Sequence, residues 1–337
     1  MIVKRILMIA TLLTAGGSFA RSPGATYINP VVLPTAADPT VLRAHDGLFY
    51  LIATQDSWDG RVEHFLPIFR SPNLVDWEFV GDVFTLPPAW KSGGFLWAPD
   101  LSYQDGTYYL YYSYSRWGDD NPCIGLATAP HPTGPWEDLG RPVFCSDDIG
   151  VENSIDPFAW YEDGERTLVW GSFHGIHAVA LDETGSSATG EPVLLADTRF
   201  EAPYLIERNG YYYLFLSSGS CCEGAASTYI TWVGRSRELL GPYEDSIGRD
   251  LRYGGGEVVL YRNDEWVGPG HNAIVRDDAG TDWIVYHAIS PDEPFLPGGA
   301  TRRPALIDPI DWQDGWPTVH DGVGPSSWRL AAPTIGD

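Results

Sequence analysis

Short runs rich in β-branched and aromatic residues recur along the chain, and each follows a sequence typical of a tight turn. The turn is Asp-Gly or Asn-Gly in four cases and Asp-Ala-Gly in the fifth, and the turns begin at positions 46, 105, 163, 209 and 278. Asp-Gly and Asn-Gly favour the turns that join antiparallel strands. The pattern therefore predicts five similar β-hairpins. Their second strands are the runs Leu48–Thr54, Tyr108–Tyr114, Thr167–Ser172, Tyr211–Ser217 and Asp282–His287.

The first strand of each hairpin also has a recurring start. Seven or eight residues before each turn lies a polar or aromatic residue with a proline close by. Strand-rich units repeated at intervals of 59, 58, 46 and 69 residues predict an all-β, five-bladed β-propeller. The first strand of each propeller blade lines the central channel, so the five starts are expected to converge. A β-sandwich, the alternative fold, would not bring them together. The five starts are Asp38, Trp97, Asp156, Glu201 and His271.

The first twenty residues have the pattern of a secretory signal peptide. Lys4 and Arg5 precede an apolar run, and Ser18 and Ala20 are small residues at the positions that a signal peptidase reads. The apolar run is shorter than the ~20 residues that a membrane-spanning helix needs. We therefore expect residues 1–20 to be removed and residues 21–337 to form a single propeller domain. The protein is expected to be secreted, into the periplasm or the medium, without membrane insertion.

Charge and composition narrow the possible partners. The formal net charge is −24, and removal of the two basic residues of the leader makes it −26. So acidic a surface repels nucleic acid, and no nucleic-acid partner is expected. The chain contains 14 Trp and 18 Tyr. Both pair an apolar face with a polar tip and suit sugar rings, although most must pack in the core of a β-protein.

The four cysteines are compatible with disulfides in an oxidising compartment. The sequence leaves their pairing open, including a bond between the adjacent Cys221 and Cys222, with Cys123 and Cys145 as the other two. Their spacing is not that of a zinc site. Motifs for nucleotide, flavin or haem binding are missing from the sequence, so no organic cofactor is expected.

The starts of the first strands resemble glycoside hydrolase family 43, whose members are five-bladed propellers. The later half is most similar to the endo-1,5-α-L-arabinanase branch, for example in Gly210–Ser217 and Gly268–Asn272. The branch commonly has His where this chain has Ala37, which leaves the substrate and endo or exo action open. The segments that carry the resemblance are Ala37–Val41, Trp97–Asp100, Ser154–Pro157 and Glu201–Tyr204.

The resemblance implies a secreted hydrolase that cleaves α-1,5-linked L-arabinan by an inverting single displacement. It implies that Asp38 is the general base and Glu201 the general acid. Asp156 would raise the pKa of Glu201 by like-charge repulsion and would orient it. An inverting enzyme keeps its acid and base roughly 6.5–9.5 Å apart to leave room for water.

Further residues are expected to bind substrate or an ion. Trp97 is expected to present its ring to a sugar, and Ser172 and His174 to hydrogen-bond sugar hydroxyls. Arg303 is expected either to bind substrate or to pair with a carboxylate. The resemblance implies a calcium ion in the central channel near His271, held mostly through water because calcium prefers oxygen ligands. The alternative role for His271 is that of a hydrogen-bonded polar plug.

Other functions stay open at this point. An exo-acting α-L-arabinofuranosidase or β-xylosidase of the same family would use the same carboxylates. A non-catalytic carbohydrate-binding propeller would keep the aromatic residues but would not need Asp38, Asp156 and Glu201 together. A fructan-cleaving propeller would begin with Asn-Asp-Pro, and this chain has Ala37-Asp38-Pro39 instead.

Overall fold

The structure, a computed structural model, describes residues 24–336, and in it the chain forms a ring of five β-sheets. The chain enters through a two-residue strand, β1 (Thr26–Tyr27), which pairs with the last strand of the chain. The signal peptide predicted for residues 1–20 lies outside the described residues. Within the described range, no helix is long and apolar enough to cross a lipid bilayer.

The five blades follow one another along the chain, and the first strands of neighbouring blades contact each other all the way round. The first blade consists of β2 (Thr40–Arg43), β3 (Phe49–Ile52), β4 (Phe65–Ser71) and β5 (Glu78–Phe84). The second consists of β6 (Phe95–Gln104), β7 (Thr107–Ser115), β8 (Cys123–Ala129), β9 (Glu137–Asp138) and β10 (Phe144–Cys145), followed by the one-turn helix α1 (Ser146–Ile149). The third consists of β11 (Phe158–Glu162), β12 (Glu165–Trp170), β13 (Ile176–Ala180) and β14 (Val193–Ala196).

The fourth and fifth blades complete the ring. The fourth consists of β15 (Phe200–Arg208), β16 (Tyr211–Ser218), β17 (Ile230–Ser236) and β18 (Glu257–Leu260). The fifth has three strands, β19 (Val267–Arg276), β20 (Asp282–Ile289) and β21 (Ala305–Pro309). A hairpin of β22 (Asp311–Gln313) and β23 (Trp316–Thr318) and then β24 (Leu330–Ala331), the partner of β1, end the chain. The 3₁₀-helices span Gly224–Ala226, Leu251–Tyr253 and His320–Gly322.

The five predicted hairpins are confirmed as the first two strands of the five blades. In the second, third and fourth blades both turn residues have positive φ, for example Asp105 (49°) and Gly106 (89°). That backbone matches the twist of the flanking strands and favours Asp-Gly or Asn-Gly. The short turns fix the register of each hairpin, and with it the position of the residue that begins the first strand.

The hydrophobic core consists of five clusters, one between each pair of neighbouring blades. Each buried second strand contributes side chains to two clusters, because successive side chains of a strand point to opposite faces. In β7, Tyr112 packs between blades one and two, and Tyr111 packs between blades two and three. A disulfide between Cys123 and Cys145 joins the paired strands β8 and β10 within the second blade.

The segment before the first blade closes the ring. Val32 forms a β-bridge with Ala305, so this segment covers the free edge of β21. The Tyr27 hydroxyl donates to the Ile307 carbonyl at 2.9 Å. The Asn29 side chain donates to the same carbonyl at 2.8 Å and accepts from the Ile307 N–H at 2.9 Å. Residues from the two ends of the chain thus complete the fifth blade together.

We predict that Asn29→Ala lowers the free energy of unfolding by about 1–3 kcal/mol, because it leaves the buried N–H of Ile307 without a partner, while Tyr27 still donates to the carbonyl. Thermal unfolding followed by tryptophan fluorescence would measure the change. Thr26→Ala is the matched control, because Thr26 accepts its hydrogen bond from Arg329 at the exposed surface. Equal losses in the two variants would contradict a closing role for Asn29.

Candidate active site

The same backbone geometry is repeated where the chain enters each blade, at the mouth of the channel. One residue there has positive φ in every blade: Asp38, Ala98, Asp156, Ala202 and His271, with φ between 43° and 57°. In blades two, four and five the hairpin ladder also contains one extra residue at this point. Such a β-bulge redirects the neighbouring side chains.

The sequence alignment of the five starts needs a one-residue correction in blades two and four. Trp97 and Glu201 lie one residue before the positive-φ position, which Ala98 and Ala202 occupy. The pairings Thr54 N–Ala37 O and Gly171 N–Ile155 O place Ala37 and Ile155 at the same ladder position as Trp97 and Glu201. The two adjacent positions both face the channel mouth, so Trp97 and Glu201 still converge with the two aspartates and His271.

In four blades, the backbone amide of the positive-φ residue donates to a side chain of the preceding blade. Thr54 Oγ1 accepts from Ala98 N at 2.8 Å, and Ser113 Oγ accepts from Asp156 N at 2.9 Å. Ser217 Oγ accepts from His271 N at 2.9 Å, and His287 Nδ1 accepts from Asp38 N at 3.2 Å. Four of the five blade junctions therefore share the same hydrogen bond between a backbone amide and a side chain.

Asp38 is held in its ionised form. Its Oδ1 is 2.7 Å from an Arg303 guanidinium nitrogen, and its Oδ2 accepts from the Thr54 hydroxyl at 2.7 Å. Burial alone would raise the pKa of Asp38. Arg303, together with His271 and His287, holds that pKa well below its usual value. Burial lowers the pKa of His271 to about 4. His271 is therefore neutral at pH 7, and Arg303 is the permanent cation beside Asp38.

Glu201 and Asp156 are pushed towards their neutral forms. Burial raises the pKa of Glu201 to about 7, against the hydrogen bonds from Tyr229 and Ser172. Burial and the charges of Glu201 and Asp38 raise the pKa of Asp156 well above its usual value. Asp156 Oδ2 accepts from Ala202 N at 3.2 Å, which ties it to the strand that carries Glu201. One cleft thus contains an ionised carboxylate and two carboxyl groups that retain protons near neutral pH.

All eight residues selected from the sequence line one cavity of about 970 Å³ at the channel mouth: Asp38, Trp97, Asp156, Ser172, His174, Glu201, His271 and Arg303. Arg303 pairs with Asp38, as one of its two expected roles required. His174 lies at the rim and is 3.0 Å from Glu152. Ser172 is buried, and its hydroxyl donates to Glu201 Oε2 at 2.7 Å.

Trp97 belongs to an aromatic wall of the cleft. Its ring centroid is 5.5 Å from that of Trp117, a residue that is 77% exposed. Cys221 and Cys222 form a disulfide with each other, one of the pairings left open by the sequence, and also line the cleft. The cleft walls come from the segments that follow the second strands of blades two, three and four, namely 116–120, 172–174 and 219–223.

Sequence analysis did not identify Thr54, His287 or Tyr229. Thr54 and His287 share one ladder position with Ser113 and Ser217, so the repeat itself contained the signal for them. Tyr229 precedes a third strand, and its hydroxyl donates to Glu201 Oε1 at 2.5 Å. It stands outside the repeated positions, and the sequence offered no signal for it.

The sequence matches a known family over most of its length. The family model of glycosyl hydrolases family 43 matches residues 27–317. The chain belongs to that family. It is 36% identical over 270 residues to extracellular endo-alpha-(1->5)-L-arabinanase 1 of Bacillus subtilis, covering 76% of this chain and 80% of that protein.

Two further relatives fit the same assignment. Over 314 residues, the chain is 32% identical to an extracellular exo-alpha-(1->5)-L-arabinofuranosidase of Cellvibrio japonicus, covering 84% of this chain and 86% of the relative. The structure of Cellvibrio cellulosa alpha-L-arabinanase complexed with arabinohexaose superposes with a TM-score of 0.74 at 30% identity, covering 86% and 96% of the two chains. The chain is thus a family 43 glycoside hydrolase of the arabinanase and arabinofuranosidase type.

We predict that Arg303→Met raises the pKa of Asp38 by about 1–3 units, because the variant removes the cation that stabilises the carboxylate. A ¹³C NMR titration of aspartate carboxyl groups, with the Asp38 resonance assigned from Asp38→Asn, measures it. Arg302→Met is the control, because Arg302 pairs with Glu293 instead. An Asp38 titration that is the same in both variants would refute the electrostatic role of Arg303.

Proposed function

We propose that this glycoside hydrolase cleaves α-1,5-linked L-arabinan with inversion at the anomeric carbon. The observation that carries the proposal is the division of ionisation states in the cleft: Asp38 is held as a carboxylate, and Glu201 retains a proton near neutral pH. Inverting hydrolysis requires one group of each kind. Pairs of carboxyl groups with separated pKa values are typical of acid–base assignments in glycosidases.

Each carboxyl group has a role in a single displacement. Asp38 accepts a proton from water as the water oxygen bonds to the anomeric carbon. Glu201 donates its proton to the departing sugar oxygen as the glycosidic bond breaks. The charge of Glu201 raises the pKa of Asp156, so the two carboxyl groups do not ionise together, and Asp156 accepts from the Ala202 amide and so positions the strand of Glu201. Asp38 and Glu201 lie on blades one and four and bond to different side chains, an arrangement compatible with a water between them.

The choice of arabinan rests on the relatives and on the cleft. The similar proteins are named as an endo-alpha-(1->5)-L-arabinanase and an exo-alpha-(1->5)-L-arabinofuranosidase. The cavity is at the upper end of the roughly 300–1,000 Å³ common for ligand sites, which favours an oligosaccharide over a single sugar. Trp97 and Trp117 offer apolar faces to sugar rings, and His174 offers a hydrogen bond at the rim.

The mode of attack has two candidates. Internal cleavage is supported by the size of the cavity and by similarity to the Bacillus subtilis endo-arabinanase. Release of sugars from a chain end is supported by the similarity to the Cellvibrio japonicus exo-acting enzyme. Secretion is part of the proposal, since both relatives are named extracellular and residues 1–20 have the signal-peptide pattern.

We also propose that a calcium ion is held through water near His271. No three His, Cys, Asp or Glu side chains in residues 24–336 are grouped to hold a metal directly. The neutral His271 ring and the buried side-chain amide of Asn272, whose two polar atoms lack a protein partner, fit the water shell of an ion. Bound there, the ion would supply positive charge near Asp38.

The first test is the product pattern from linear α-1,5-arabinan early in the reaction. We expect intermediate oligosaccharides, resolved by anion-exchange chromatography, because the cleft accommodates several sugars. Arabinose or one short product alone would instead establish the exo-acting alternative. Hydrolysis of xylan or galactan but not arabinan would overturn the assigned substrate.

Glu201→Gln is the paired variant in the same assay. Loss of the acid should reduce kcat by about 10²–10⁴-fold, the usual contribution of a general acid. Glu207→Gln, at the exposed end of the same strand, should retain the wild-type rate. A Glu201→Gln protein with full activity would exclude the acid role, and a wild-type protein that binds arabinan without cleaving it would indicate a binding module.

Calcium dependence is tested on the folded protein itself. Chelation by EDTA should lower Tm and added calcium should restore it, because a ligand that binds only the folded state stabilises it. Asn272→Leu should keep the fold but lose the response to calcium. A purified protein that contains no calcium by mass spectrometry and has an EDTA-insensitive Tm would disprove the ion.

A further inference from the structure

We infer that Ser172 and Tyr229 are positioning residues for Glu201, which hold its two carboxyl oxygens separately and place the acidic proton on Oε2, next to Ser172. Tyr229 donates to Oε1 at 2.5 Å and Ser172 donates to Oε2 at 2.7 Å. The inference rests on the proposed role of Glu201 as the acid. It replaces the expectation that Ser172 binds a sugar hydroxyl.

The third blade departs from the repeat at its junction with the fourth. Thr54, Ser113, Ser217 and His287 share one ladder position in the other blades, and each accepts the amide of the next blade. The third blade has Gly171 at this position, which has no side chain, and the amide of Ala202 donates to Asp156 Oδ2 instead. Ser172, the next residue, forms a β-bridge with Glu201, and its hydroxyl donates to the Glu201 carboxyl group. The one junction that departs from the pattern is the one that carries the acid.

Tyr229 is closely packed on two sides. Its ring passes over Gly270, where a Cβ would lie 2.3 Å from Tyr229 Cδ1, so only glycine fits there. On another side the ring stacks on His287, with centroids 5.6 Å apart and planes 6° apart. Burial and the nearby carboxyl groups raise the pKa of Tyr229 well above its usual value, so its hydroxyl keeps its proton. Tyr229 is therefore a fixed donor.

The chemistry of the two hydroxyls assigns the proton. The Tyr229 O–H points at Oε1 in a fixed direction, so a proton on Oε1 would compete with it. The Ser172 hydroxyl turns freely about its C–O bond, so it donates to an ionised Oε2 and accepts from a protonated one. Tyr229 donates to Oε1 in both forms but more strongly to the ionised one, because the hydrogen bond is then charge-assisted, whereas Ser172 changes from donor to acceptor when Glu201 is protonated. Removal of the two hydroxyls should therefore have different effects on the titration of Glu201.

The surrounding charges stay constant in this comparison. Glu201 experiences the charges of Asp38, Asp156 and Arg303, and Tyr229 in turn contacts His287. Neither Tyr229→Phe nor Ser172→Ala changes any of these groups. A shift in the titration of Glu201 in these variants then reports the lost hydroxyl.

The experiment is a ¹³C NMR titration of glutamate carboxyl groups in the full chain, with Glu201 assigned from Glu201→Gln, together with the pH profile of kcat/KM. Tyr229→Phe should raise the pKa of Glu201, and with it the alkaline limb, by about one unit or more, since hydrogen bonds to charged groups are worth that much. Ser172→Ala should shift it by less than half as much while lowering kcat.

Matched controls separate positioning from packing. Ser217→Ala removes a buried hydroxyl from the second strand of the next blade, and Tyr286→Phe removes the hydroxyl that donates to Asp308 in the fifth blade. Neither should move the titration of Glu201. An unchanged titration in Tyr229→Phe, or equal shifts in Tyr229→Phe and Ser172→Ala, would overturn the inference. The NMR titration needs no substrate, so a failure of the arabinan assignment would appear only in the activity assay.

Discussion

The structure depends on the way in which each blade is fastened to the next at the mouth of the channel. A backbone turn with positive φ places an amide where a side chain of the preceding blade accepts it, and this junction is repeated with Thr54, Ser113, Ser217 and His287. Buried amides need partners, so these hydrogen bonds fix the height and rotation of each blade. The five hydrophobic clusters fill the space between blades but specify no such alignment, because apolar contact is not directional.

The same junctions place the catalytic candidates. Every blade offers two adjacent positions at its entrance, and the chain places a large functional side chain at one of them: Asp38, Trp97, Asp156, Glu201 or His271. Rigid strands on all sides prevent these side chains from moving apart. The carboxyl groups are therefore held in a buried site where their charges interact strongly, which is why their pKa values diverge.

Much of this arrangement could be predicted from the sequence, since it follows from local signals. Asp-Gly and Asn-Gly turns fix the hairpins, and the hairpins fix the spacing of Asp38 and Asp156. The one-residue error at Trp97 and Glu201 arose because two adjacent positions at each blade entrance face the channel mouth, and no local signal in the sequence tells which of them carries the large side chain. Contacts between distant segments were out of reach: Tyr229 meets Glu201 only through the stacking of blades, and the pairing of the four cysteines depends on strand register.

The closure of the fifth blade has a consequence for how the protein acquires its fold. Tyr27 and Asn29 bond to Ile307, a residue about 280 positions further along the chain. During synthesis the first blade can form early, yet the segment before it stays without a partner until the last blade has emerged. Contacts between such distant residues form slowly, because the ends of a long loop must meet before any stabilisation is gained. The unfinished edge is thus exposed for most of the folding process, and completion of the ring is expected to limit the overall folding rate.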